Sequence, residues 1–146
     1  VAMSAGWRFG IPLTTRTGNG YVYSSRYISD EDAEAELRAA VGADEAGTAR
    51  LLHLKVGRVE RSWSRNCLAA GLAQGFVEPL EATALHIVIA TALEFAQAYA
   101  GGGFTPQHRD RFNAAVAARY DGIRDYIVAH YRMNQRTSSP YWRDCA

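Results

Sequence analysis

The chain has 146 residues, a net charge of +1 and 21% charged residues, with nearly half its residues apolar; that is enough for one domain with a real core and an ordinary globular mix. A charge so near neutral gives no reason to expect nucleic acid or a membrane as a partner. Two widely separated cysteines, Cys67 and Cys145, do not make a disulfide framework or a zinc site, and His53, His86, His108 and His130 lack metal-ligand spacing.

Trp7 to Leu13 reads as a strand ending at Pro12. The stretch Thr17-Gly18-Asn19-Gly20 reads as a turn, because its residues tolerate positive φ. Tyr21 to Ser25 alternates aromatic or β-branched with polar residues, a second strand and the partner of the first in an antiparallel hairpin. Ser29 and Asp30 can cap a helix whose first turn is acidic and which Gly42 can end. Leu52 to Val59 is predicted as another strand, with Gly57 a bulge. Cys67 to Ala73 is predicted as a short apolar helix or turn closed by Gly75, with Cys67 buried as a small apolar residue.

A long helix is predicted from Thr83 to Tyr99, with Leu85, Ile89, Leu93 and Ala96 on its core face. Its apolar run from His86 to Ala100 is interrupted by Glu94 and Gln97, which argues against a membrane span; with no signal peptide, the expected location is cytoplasmic. Gly101-Gly102-Gly103 ends the helix, and Thr105-Pro106 starts the next, a cap followed by proline. That helix is predicted to reach about Met133, with Phe112, Val116, Tyr120, Ile123, Ile127 and Tyr131 as its core stripe and Gly122 a close packing point. Strands followed by long helices give an α+β class. The first residue is Val1, and the expectation is a single piece, 1–146, from the interior or C-terminal part of a longer protein.

The stretch Phe76-Val77-Glu78-Pro79-Leu80-Glu81-Ala82-Thr83-Ala84 is the most informative of the chain. Glu81 falls at or near a helix N-terminus, beside small residues whose backbone can approach a ligand. Such a terminus carries about half a positive elementary charge and unpaired N–H donors, so it attracts anions. An acid beside an anion-binding turn is consistent with a reaction site; the same residue also suits a plain helix cap.

The chain resembles the C-terminal portion of flavin-dependent tryptophan halogenases. Gly6-Trp7-Arg8-Phe9-Gly10-Ile11-Pro12 is similar to the family's GWxWxIP signature, with Phe9 in place of the second tryptophan. Gly18 to Ser25 is similar to its GxGYV(F/Y)SS strand. Gly71-Leu72-Ala73 followed by Gly75 to Thr83 is similar to its GLAxGFxEPLE(S/A)T block, and Ser139-Pro140-Tyr141-Trp142 to its (T/S)P(F/Y)W element. Val56-Gly57-Arg58, Ser62-Trp63 and Asn66-Cys67 also match, in register. The chain departs at Phe9, and at Ala82 and Ala84, where members often carry Ser and Gly.

The resemblance implies part of a larger monooxygenase-like, Rossmann-type fold. It also implies an activity: reduced FAD, delivered by a flavin reductase, and O₂ oxidise chloride or bromide to hypohalous acid, which halogenates an electron-rich arene such as tryptophan or indole. Glu81 would be the catalytic glutamate, and Glu78 structural support. Thr83 and Ala84 would bind the halide, Leu72 and Leu85 would touch the flavin, and Trp7, Phe9 and Pro12 would wall the tunnel between flavin and substrate. A homodimer stays open. The family's GxGxxG fingerprint and catalytic lysine have no match here. Gly101-Gly102-Gly103 follows a helix rather than a strand, and Lys55 sits far from any family lysine position. The piece alone is therefore expected to be inactive. A related FAD-dependent aromatic monooxygenase and a non-catalytic interaction domain are the alternatives; an exposed apolar patch on the helix from Thr105 would favour the latter.

Overall fold

A computed structural model describes residues 1–42 and 47–146. They divide into two compact units, 1–52 with 131–146, and 53–130.

In the first unit, β1 (Ala2–Met3), β2 (Gly6–Pro12) and β3 (Thr17–Tyr23) form an antiparallel sheet in that order. The predicted hairpin is present, but its turn lies earlier. Pro12 already pairs with Thr17, and Leu13 N–H reaches Arg16 O at 2.8 Å, so residues 17–20 are strand. The glycine at position 20 answers a packing need: it faces Phe9 across the ladder, and a Cβ there would come within 2.2 Å of the Phe9 ring.

Helix α1 (Asp30–Val41) starts and stops as its sequence predicts. Ser29 Oγ accepts from Asp32 N–H, and Gly42, at φ 91°, donates its N–H to Arg38 O. Glu36 ties α1 to the sheet by accepting from Ser4 N–H at 2.8 Å, Ser4 Oγ at 2.7 Å and the Tyr21 hydroxyl at 3.0 Å. Tyr23 donates to Asp30 at 2.5 Å; burial, and then this bond to a carboxylate, push its pKa up to about 12. The C-terminal element, absent from the sequence reading, is a short helix α4 (Pro140–Cys145) capped by Ser139. Its buried Trp142 donates to Met3 O at 2.7 Å, and Asp144 accepts from Tyr27.

In the second unit, the expected strand over Leu52–Val59 shrinks to β4 (Gly57–Arg58), which pairs with β7 (Gly75–Phe76). Leu51, Leu52, Leu54 and Val56 are exposed, and no partner strand runs beside them among the described residues. The expected helix over Cys67–Ala73 is instead a strand and a turn. β5 (Trp63–Ser64) and β6 (Cys67–Leu68) make a small hairpin, and Gly71–Ala73 forms one 3₁₀ turn. Cys67 is exposed at the hairpin rather than buried.

Helices α2 (Thr83–Gly101) and α3 (Arg109–Arg132) complete this unit. Thr105 caps the start of the second, its hydroxyl accepting from Gln107 N–H ahead of a Pro106–His108 turn. The predicted stripe on α3 is the observed one: Phe112, Val116, Tyr120 and Ile127 are buried. Phe112, Val116 and Tyr120 pack with Trp63 and Ile87, and Phe95 stands edge-on to Trp63 at 4.9 Å. Gly122 is exposed, and a Cβ there would meet nothing within 4 Å, so it is no packing point.

The α2 expectation is reversed. Leu85, Ile89 and Leu93 are 67%, 59% and 60% exposed, Ala96 is exposed as well, and Ile87 and Thr91 are buried. A helix that is apolar all round offers two candidate faces, and periodicity alone does not choose between them. By length and composition α2 with its preceding turn (Leu80–Gly101) could cross a membrane. Against that, Glu94 pairs with Arg119 of α3, and Thr91 and Phe95 pack inward.

Candidate functional site

The Glu78–Glu81 stretch emerges from β7 and turns into α2 through a 3₁₀ turn, Leu80–Ala82. Both Glu81 (φ 56°, ψ 24°) and Ala82 (φ 53°, ψ 27°) are left-handed, a conformation that costs non-glycine residues roughly 1–2 kcal/mol each. Two such residues in succession mark a backbone held by its surroundings, and strain of this kind clusters at functional sites. The turn presents the Glu81 carboxylate to solvent.

Left-handed Ala82 is followed by right-handed Thr83 (φ −56°), and Ala82 N–H reaches back to Pro79 O at 3.4 Å. No side chain caps α2. Thr83 N–H closes the turn onto Leu80 O, and the Thr83 hydroxyl lies 3.4 Å from both Glu78 O and Leu80 O, to which it donates. The donors that open the helix therefore begin at Ala84.

Beside this turn lies a cleft of about 150 Å³, lined by Gly71, Leu72, Phe76, Val77, Glu78, Thr83, Ala84, Leu85, Ile87, Val88 and Tyr120. The fold thus brings Leu72, Thr83, Ala84 and Leu85 to one cleft, with Glu81 in the adjoining turn. Leu72 and Leu85 are 77% and 67% exposed, so both offer apolar surface to a ligand. Tyr120 stands at the buried side, where burial pushes its phenol pKa up against the opposing pull of Arg58.

Trp7, Phe9 and Pro12 lie on β2, in the first unit. Trp7 and Phe9 are half-buried on one face of the strand with ring centres 6.0 Å apart, and Pro12 is exposed at its end. Lys55 is exposed in an irregular segment, and Gly101–Gly103 sits between two helices with no strand feeding it. The Leu72–Leu85 cleft suits the apolar edge of a ring cofactor, whereas its size falls short of a whole dinucleotide. Among the described residues, no group of three or more His, Cys, Asp or Glu could hold a metal ion.

The sequence reading missed Gln74, which is wholly buried behind the cleft, and Asn113 in the core. A glutamine inside an otherwise apolar GLAxGF stretch was the only cue for the first.

The family profile described as tryptophan halogenase matches residues 1–146. The 7-chloro-L-tryptophan 6-halogenase KtzR of Kutzneria sp. (strain 744) is 42% identical over 144 residues, 98% of this chain and 28% of that protein. The crystal structure of a tryptophan 6-halogenase, SttH, from Streptomyces toxytricini superposes with a TM-score of 0.92 at 41% identity, covering 99% of this chain and 30% of that one. BrvH, a flavin-dependent halogenase from Brevundimonas sp. BAL3, superposes with a TM-score of 0.89 at 39% identity, covering 99% and 29%. The chain spans less than a third of the length of each of these relatives.

Proposed function

We propose, because this chain belongs to the tryptophan halogenase family, that it forms the substrate-side portion of a flavin-dependent halogenase acting on an electron-rich arene such as tryptophan or indole. Reduced FAD with O₂, when bound by the complete enzyme, supplies the oxidising power that converts chloride or bromide to hypohalous acid. The residues of this chain hold the reactants and move a proton.

Ala84 N–H, the first open donor of α2, holds the halide, favoured by the α2 dipole. The Thr83 hydroxyl, already donating to backbone carbonyls, shapes the turn. Leu72 and Leu85 give the flavin an apolar edge to rest on. Trp7, Phe9 and Pro12 wall a passage that keeps arene and flavin apart.

Glu81 accepts a hydrogen bond from the O–H of hypohalous acid and so aims its halogen at the arene. The halogen passes to a ring carbon as the O–X bond breaks and hydroxide departs; the proton that this carbon then loses goes to the Glu81 carboxylate and on to the hydroxide, giving water. The same charge stabilises the cationic ring that precedes proton loss.

The observation that supports this reading most is the left-handed Glu81–Ala82 pair, which sets the Glu81 backbone directly ahead of an uncapped helix start. Glu81→Gln in the complete enzyme is expected to raise the halogenation barrier by about 2–4 kcal/mol, a range usual for a preorganised acid–base group. FAD affinity should not change. Undiminished turnover would remove Glu81 from the mechanism. A halide-independent oxygenated product would favour the monooxygenase alternative.

A further inference from the structure

We propose that Gln74 is a positioning residue for the cleft: its buried amide fastens the segment carrying Leu72 to both helices of the second unit. The identity of the ligand rests on the halogenase reading; the fastening rests on geometry alone.

Glutamine is seldom fully buried, because two donors and an acceptor must all find partners. Gln74 is 0% exposed, and its partners are present. Nε2 donates to Ser62 Oγ and to Thr91 Oγ1 of α2, each at 3.1 Å. Oε1 accepts from the Tyr120 hydroxyl of α3 at 3.4 Å and lies 3.3 Å from Thr91 Oγ1. The main chain adds two bonds: Gln74 N–H closes the turn onto Gly71 O, and Val59 N–H donates to Gln74 O. One residue thus connects the loop before β5, the 71–76 segment, α2 and α3.

The placement matters because Gln74 lies between cleft residues in the chain. Gly71 and Leu72 precede it, and Gly75 and Phe76 follow. On the far side β7 has no room to retreat: a Cβ on Gly75 would meet Gly57 O at 2.6 Å. The position of this wall relative to Thr83–Leu85 is therefore set by the Gln74 amide and by Tyr120, which lines the cleft and bonds to it. A leucine could fill the same volume, but it would strand the Ser62, Thr91 and Tyr120 hydroxyls in a low-dielectric interior. A connected polar network there fixes one arrangement where apolar packing would allow several.

The test uses the complete enzyme and compares Gln74→Leu with Val116→Ala, a truncation in the same core at a residue that does not line the cleft. Amide hydrogen exchange is read across the molecule, and FAD affinity by flavin fluorescence. For Gln74→Leu, exchange is expected to accelerate at least about tenfold within 71–78 and 83–87, and FAD to bind several-fold more weakly. Val116→Ala, at a similar loss of melting temperature, should leave both nearly unchanged. Exchange that spreads evenly in Gln74→Leu, or the same pattern in both variants, overturns the proposal. If Gln74→Leu does not accumulate as folded protein, Thr91→Val removes one partner more gently and must show the same localised acceleration, or the proposal fails. A wild-type protein that binds no FAD, with the localised acceleration still present in Gln74→Leu, sinks the halogenase reading and leaves the positioning role standing.

Discussion

Ala82 occupies the least comfortable backbone position at the site. Alanine gains nothing from a left-handed conformation and is held there by the chain on either side. Replacing it with glycine removes the folded-state strain but adds freedom to the unfolded chain, so the two effects oppose. Relief is expected to win narrowly, with Ala82→Gly stabilising by up to about 1 kcal/mol. Ala82→Val should do the opposite and lose about 2 kcal/mol or more, because a β-branched residue is a true outlier at this φ. Thermal melting of the complete enzyme distinguishes these cases. A valine variant as stable as wild type would mean that the turn relaxes and that its strain is no part of the site. No sequence signal announced the left-handed pair, since neither Glu nor Ala favours it. What could be read there was a carboxylate and small residues at a helix start.

At the level of elements, one side chain of the second unit imitates a strand. Asn113, in the body of α3, accepts from Trp63 N–H at 2.8 Å and donates to Trp63 O at 2.9 Å. The Trp63 backbone is thereby satisfied on the side of β5 where no strand runs among the described residues, and the Trp63 indole is set edge-on to Phe95 and Phe112. Asn113→Ala should cost about 2–3 kcal/mol, because it leaves a buried donor and a buried acceptor without partners. Asn113→Leu should fare no better despite filling the space. Equilibrium denaturation of the complete enzyme checks both, and a leucine variant at wild-type stability would show that packing alone holds Trp63. Local chemistry explains which elements could be foreseen. Ser29, Gly42, Thr105 and Pro106 act on their own neighbours, so α1 and the start of α3 were readable. The glycines at 18 and 20 looked like turn residues, but the turn lies at residues 13–16, and Gly20 makes room for Phe9 across the sheet. The 52–59 run and the Leu85 face needed knowledge of what packs against them, and that information lies in tertiary contacts.

At the scale of the whole molecule, the exposed side of α2 sets the chain's behaviour. Leu85, Ile89 and Leu93 recur at helical spacing on one exposed face, and the exposed Leu72 lies at the cleft that α2 helps to form. Contiguous apolar surface of this kind is rarely left in water by a stable monomer. Two outcomes are expected for the isolated 146-residue chain. It should give no flavin-dependent chlorination or bromination of indole, since it carries no dinucleotide fingerprint and its single lysine, Lys55, matches no family lysine position. It should also scatter light and bind a hydrophobic dye at micromolar concentration, and Ile89→Lys with Leu93→Lys should reduce both signals sharply while leaving the helical circular dichroism in place. The charges act only where α2 meets solvent, because Ile87, Thr91 and Phe95 keep the other face in the core. A double-lysine variant that lost its helical signal would show that Ile89 and Leu93 pack inward, and that the orientation of α2 described above is wrong. Halogenated indole from the isolated chain would instead show that Glu81 needs no partner group outside these residues.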